Sequence, residues 1–143
     1  MIRLLLVLLL SFSLSSNSSS QDCETVPQVI DTADFVLKKS CSPYTIEKSL
    51  VVSDGRKLTV EDGVVINFLT SEKYIDVRGE LVVGKGVTFN MGQDTYIKTE
   101  NSGKLEVNGT ESDSVTFTGE NWDGIWANNQ GSTIKYSRVL NTG

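Results

Sequence analysis

Leu58-Thr59-Val60-Glu61-Asp62-Gly63-Val64-Val65-Ile66-Asn67-Phe68 is followed, 23 residues later, by Leu81-Val82-Val83-Gly84-Lys85-Gly86-Val87-Thr88-Phe89-Asn90-Met91. Both read Leu-x-Val-x-x-Gly-Val-x-apolar-Asn-apolar. A looser third copy starts 24 residues on, where Leu105-Glu106-Val107 leads through a polar insertion to Val115-Thr116-Phe117-Thr118. A fixed period of this size marks a solenoid, propeller or array, and apolar alternation inside each copy marks strands. A second motif, Tyr74-Ile75-Asp76-Val77, is echoed 22 residues later by Tyr96-Ile97-Lys98-Thr99 and falls between successive copies of the first. Each turn of 22–24 residues therefore carries three short strands, the number a triangular parallel coil needs. The fold class predicted is all-β: a parallel β-helix of about four coils over residues 44–143.

Stacking such coils puts equivalent positions in columns about 4.8 Å apart. Leu58, Leu81 and Leu105 make one inward column and Val60, Val83 and Val107 another; Ile66, Phe89 and Phe117, with Val64, Val87 and Val115 beside them, make a third, and Ile75 with Ile97 a fourth. Period two then turns Val65, Thr88 and Thr116, and Asn67, Asn90 and Thr118, outward. Gly63, Gly86 and Gly109 fall at corners. Asp76 and Lys98 stand side by side and are expected to form an exposed ion pair between coils.

Residues 1–20 read as a secretory signal peptide: Arg3, an apolar run from Leu4 to Leu10, then small residues from Ser15 to Ser20. The run is too short to span a bilayer of about 30 Å, so no membrane span is expected in the mature chain. Secretion gives Cys23 and Cys41, the only two cysteines, an oxidising compartment and hence a disulfide. The loop they close contains Asp31-Thr32-Ala33-Asp34-Phe35-Val36-Leu37-Lys38-Lys39, which opens on cap residues and closes on two lysines. That order predicts a short helix. Residues 21–43 are accordingly expected to be a stapled cap over the first coil.

The charge of -5 with a pI near 4.7 argues against a nucleic-acid partner, which needs a clustered basic face. His is absent, which removes the commonest general base and zinc ligand. No catalytic residue, metal site or cofactor motif is expected. After Leu140 the alternation stops without a charged cap, helix or Pro. Bare strand edges are avoided by native proteins, so the chain is expected to be cut short, to come from an incompletely predicted gene, or to associate end to end through this coil.

The coil at 58–68, the Tyr-Ile-Asp-Val-x-Gly-x-Leu step at 74–81, Val-Thr-Phe-Thr at 115–118, Trp-x-Gly-Ile at 122–125 and Ile-x-Tyr at 134–136 resemble right-handed parallel β-helix repeat proteins, the pectate-lyase-like group. The resemblance covers about residues 44–143. Enzymatic members of that group cleave acidic polysaccharides with outward carboxylates that bind Ca²⁺ and an Arg or Lys base. Here Asp76 stands beside Lys98, Glu61 aligns with Gly84 and Asn108, and Arg56 and Arg78 sit at turns, so no such constellation forms. Glu111-Ser112-Asp113-Ser114, with Glu120 and Asp123, reads as a solvated turn and not as a calcium loop. Animal junction ectodomains of the bark beetle type, which this chain also resembles, would imply adhesion.

Two surfaces are candidates for ligands. Thr88, Asn90, Thr116 and Thr118, with Val65 and Asn67, form a flat strip of small residues that could take sugars or ice; an ordinary solvated face is the simpler reading. Trp122, Trp126 and Tyr136 could form a carbohydrate-stacking platform or pack over the open end. Asn108-Gly109-Thr110 is an N-glycosylation acceptor, and Asn17-Ser18-Ser19 matches the same pattern. The expected function is a secreted or cell-surface module that binds glycan or extracellular protein without catalysis. The alternative is the N-terminal part of a polysaccharide lyase or glycoside hydrolase whose active site lies in further coils.

Overall fold

A computed structural model describes residues 22–141; the expected leader and the Asn17 acceptor lie outside them. Fifteen short strands run in chain order: β1 (Val29–Ile30), β2 (Phe35–Leu37), β3 (Tyr44–Ile46), β4 (Leu50–Val52), β5 (Lys57–Val60), β6 (Val65–Phe68), β7 (Tyr74–Val77), β8 (Glu80–Val83), β9 (Thr88–Met91), β10 (Tyr96–Thr99), β11 (Lys104–Asn108), β12 (Val115–Gly119), β13 (Gly124–Trp126), β14 (Thr133–Lys135) and β15 (Ser137–Asn141). Every third strand joins the same sheet. Sheet A is β1-β4-β7-β10-β13, sheet B is β2-β5-β8-β11-β14 and sheet C is β3-β6-β9-β12-β15. All pairings are parallel, so the chain is a parallel β-solenoid of five turns.

The inward columns form as the repeat requires. Leu58 pairs in register with Leu81 and Leu81 with Leu105; Val60, Val83 and Val107 stack beside them; Ile66, Phe89 and Phe117 stack in sheet C; Leu50, Ile75, Ile97 and Ile125 stack in sheet A. These side chains make one continuous buried core from Ile30 to Trp122. Phe89 and Phe117 lie ring on ring, 4.8 Å between centroids. At the B–C corner Gly63 and Gly86 hold φ of +68° and +64°, which a side chain with a Cβ adopts only under strain.

Two expectations change at the N-terminus. No α-helix forms over residues 31–39; Phe35–Leu37 is a strand and Lys39–Cys41 a single 3₁₀ turn. The reason is a partner. Phe35 and Leu37 lie under Leu58 and Val60 in register, so Leu37 is buried and Phe35 half-buried against the core, while the Asp34 carboxylate accepts the Lys57 backbone N–H at 2.9 Å instead of capping a helix. The residues expected to form a separate cap are therefore largely the first coil, and the coils number five where about four were expected. The Cys23–Cys41 disulfide is present, with Cα atoms 5.6 Å apart, and ties residues 22–28 to that coil. A loop of 18 residues contributes roughly 3 kcal/mol on the chain-entropy account.

At the other end β13, β14 and β15 each have one neighbouring strand among the described residues. Ile134 and Val139 continue the columns of Val107 and Phe117 yet are exposed, because nothing described stacks on them. Among the described residues no helix is long and apolar enough to cross a membrane.

Candidate ligand-binding face

The three outer faces differ in charge. On sheet B, register sets Lys57 beside Glu80 and Glu80 beside Lys104, and Lys57 Nζ meets the Glu80 carboxylate at 2.8 Å. That hydrogen bond and the charge behind it raise the pKa of Lys57.

On sheet A, Asp76 and Lys98 are register neighbours as expected, but they do not pair. Asp76 is only 2% exposed, and its Oδ2 accepts Arg78 Nε and Nη2, each at 3.0 Å, while its Oδ1 has no hydrogen-bond partner. Lys98 Nζ turns to the carboxylate of Glu100. The expected Asp76–Lys98 pair is thus replaced by two pairs within single coils, each linking residues two apart, and Arg78 Nε lies 3.9 Å from Glu100 Oε2 of the next coil. The Lys98 ammonium holds Glu100 below the usual carboxylate range, and Glu100 in turn raises Lys98.

Sheet C has no charge on the outer side of its first four strands. Outward residues there are Thr45; Val65 and Asn67; Thr88 and Asn90; Thr116 and Thr118. They form two columns: Val65, Thr88 and Thr116 in one, and Thr45, Asn67, Asn90 and Thr118 in the other. Asn90 Nδ2 donates to Asn67 Oδ1 at 2.6 Å, so the two amides make one rung of a ladder. Arg138 ends the first column and exposed Leu140 the second. Thr88, Asn90, Thr116 and Thr118 are thus brought together on a single face, as the sequence expects, and Thr45 extends it.

The three aromatic candidates are not brought together. Trp122 is 3% exposed: its ring packs 6.4 Å from Phe117, and its Nε1–H donates to the Leu140 carbonyl at 3.1 Å. It is a core residue that fastens the last coil. Tyr136 is 61% exposed at the corner between β14 and β15, with φ of 45°. Trp126 is 47% exposed on sheet A and stacks on Tyr96 at 4.8 Å, which stacks on Tyr74 at 5.3 Å.

This aromatic ladder has a local cause. Gly124 stands in register with Tyr96 and has no side chain, so Trp126, two residues on, leans into the space above the tyrosine ring. Tyr74 and Tyr96 are absent from the sequence-based candidates, although their 22-residue echo on an outward position is the signal that finds them. Tyr96 is covered on both faces, by Tyr74 and by Trp126, so the ladder offers a sugar only its two end rings. The ladder therefore reads first as inter-coil packing.

Asn108 ends β11 on the outer side of sheet B, and its Nδ2 donates to Glu106 Oε1 at 2.8 Å. Among the described residues no group of three or more His, Cys, Asp or Glu side chains is placed to hold a metal ion. Compared with protein families, curated proteins and solved structures, the chain matches none.

Proposed function

We propose that this chain is a secreted, non-catalytic β-solenoid module whose sheet C face binds glycan in recognition or adhesion. The observation that carries the reading is the uncharged outer face of the first four strands of sheet C, in a chain where 22% of residues are charged and where sheets A and B carry pairs of opposite sign. Hydroxyl and amide groups give up water at far lower cost than ions, and interface centres are depleted in charge for that reason. The parallel ladder beneath holds these groups in place, so little side-chain freedom is lost on binding.

Size decides between a glycan and a globular protein. Four rungs about 4.8 Å apart, crossed by strands of about 15 Å, give a strip on the order of 250 Å². A stable protein interface needs about 800 Å² per partner. An oligosaccharide of a few units fits the strip, with its hydroxyls on Thr88, Asn90, Thr116 and Thr118 and an apolar sugar edge on Val65.

A glycan array probed with the full chain tests this. Binding is expected to be abolished in the double variant Thr88→Lys, Thr116→Lys, which places two charges in the strip without touching the core, and to survive Trp126→Ala on sheet A. Absence of any glycan hit, or loss on Trp126→Ala alone, would remove sheet C as the site.

A further inference from the structure

We infer that Asn108 carries an N-linked glycan whose stem lies along the outer face of sheet B. This rests on the secretory part of the reading above and adds a covalent site and a face to it. The acceptor pattern Asn108-Gly109-Thr110 is complete, and among the described residues no other Asn stands two before a Ser or Thr.

The fold leaves room for the modification in three ways. Alternation along β11 buries Leu105 and Val107 and turns Glu106 and Asn108 outward, so the acceptor amide is at the surface. Its Nδ2 carries two hydrogens, of which the Glu106 carboxylate uses one, so substituting the other keeps that bond. One step past the Val83–Val107 pair, Asn108 stands beside Gly84, which has no side chain. A groove of about 700 Å³ opens there, with Thr59, Val82 and Gly84 in its floor and Lys39 and Lys85 on its margin. The first sugars can rest their apolar faces on Val82 and their hydroxyls on the lysines. Gly109 behind the acceptor is buried, because a Cβ there would collide with the Tyr136 carbonyl of the coil above. The acceptor is therefore pinned at the rim of the sheet and not carried on a loose loop.

The chemistry balances with one co-reactant, an oligosaccharyl lipid diphosphate of the secretory lumen. Asn108 Nδ2 attacks the anomeric carbon; the C–N bond forms as the bond from that carbon to the diphosphate oxygen breaks. The lipid diphosphate leaves and the amide gives up one proton. No oxidation state changes. A glycan so placed covers sheet B and leaves sheet C clear, so the carrier face and the binding face are separate walls of the prism.

Translation of the full chain with eukaryotic microsomes tests the inference, read by gel mobility before and after an endoglycosidase that removes N-glycans and by protection from added protease. The background is Asn17→Gln, which removes the other acceptor pattern. Protected chain is expected to show one glycan step, lost on endoglycosidase treatment and in Asn108→Gln, and kept in Thr110→Ser. Chain that is protected but unmodified would overturn this inference while leaving secretion intact; chain that is digested would overturn both. Placement along the groove is read separately: Lys85 should acylate more slowly in the glycosylated protein than after deglycosylation, and equal rates would refute it.

Discussion

Phe89→Ala is the substitution that tests the stacked core most directly. Phe89 is fully buried in the middle rung of sheet C, with Ile66 on one side and the Phe117 ring on the other. A buried Phe hides on the order of 150–200 Å² of apolar surface, which at about 25 cal/mol per Å² corresponds to about 4 kcal/mol. The cavity left behind adds to this, because Phe117 cannot drop a whole rung to fill it, and loss of the offset ring pair removes about a further 1 kcal/mol. Some relaxation recovers part of the loss. The expected destabilisation is therefore about 3–5 kcal/mol in urea unfolding, or a melting point lower by on the order of 15 °C. Phe89→Leu should cost roughly a third of that, since most of the volume remains. Coils contact only their neighbours, so a weak middle rung should also uncouple the ends and lower the urea m-value. A Phe89→Ala protein that melts within a few degrees of the parent, or no lower than Thr118→Ala on the outer face, would refute the account of the core.

Two further outcomes follow from other parts of the structure. Gly103→Ala should prevent coil 4 from seating on coil 3, because the new Cβ would fall inside the Val77 carbonyl group, whereas Gly55→Ala meets no atom and should cost only about 1 kcal/mol for its φ of +70°; circular dichroism melts of the pair check this, and equal losses would contradict it. Stability should be nearly level from about pH 5.5 to 9, since the chain has no His and both cysteines are oxidised, and should fall below about pH 4. Glu100 is held below its usual range by Lys98, so its share is present above the unfolded carboxylate pKa and is lost as acid protonates it; denaturant midpoints across pH, repeated in Glu100→Gln with a shallower acid limb expected, read this out.

Much of the molecule is legible before any coordinates. Leu58, Leu81 and Leu105 occur 23 and 24 residues apart within copies of one apolar–polar alternation. A chain that must bury such evenly spaced side chains has few ways to do so other than winding them into columns. The outward set Thr88, Asn90, Thr116 and Thr118 then follows from period two alone. The disulfide is legible for a simpler reason, since the chain has only two cysteines and the expected leader gives them an oxidising compartment.

What sequence could not settle depends on neighbours distant along the chain. Asp31 to Lys39 has the charge order of a helix and also the spacing of a strand at Phe35 and Leu37; the presence of Leu58 and Val60 to cover those two positions selects the strand, a tertiary contact overriding local preference. Trp122 and Trp126 are four residues apart and look alike as aromatic candidates, yet one is core and the other surface. The difference is made by the Leu140 carbonyl, which meets the Trp122 N–H from the following coil, and by the bare Gly124, which lets Trp126 lean over Tyr96. Asp76 likewise finds Arg78 and not Lys98, because a buried carboxylate takes the donor whose geometry saturates one oxygen twice. The repeat determines which residues share a column; only the folded chain decides which of them touch, since touching depends on side chains that happen to be missing or available one rung away.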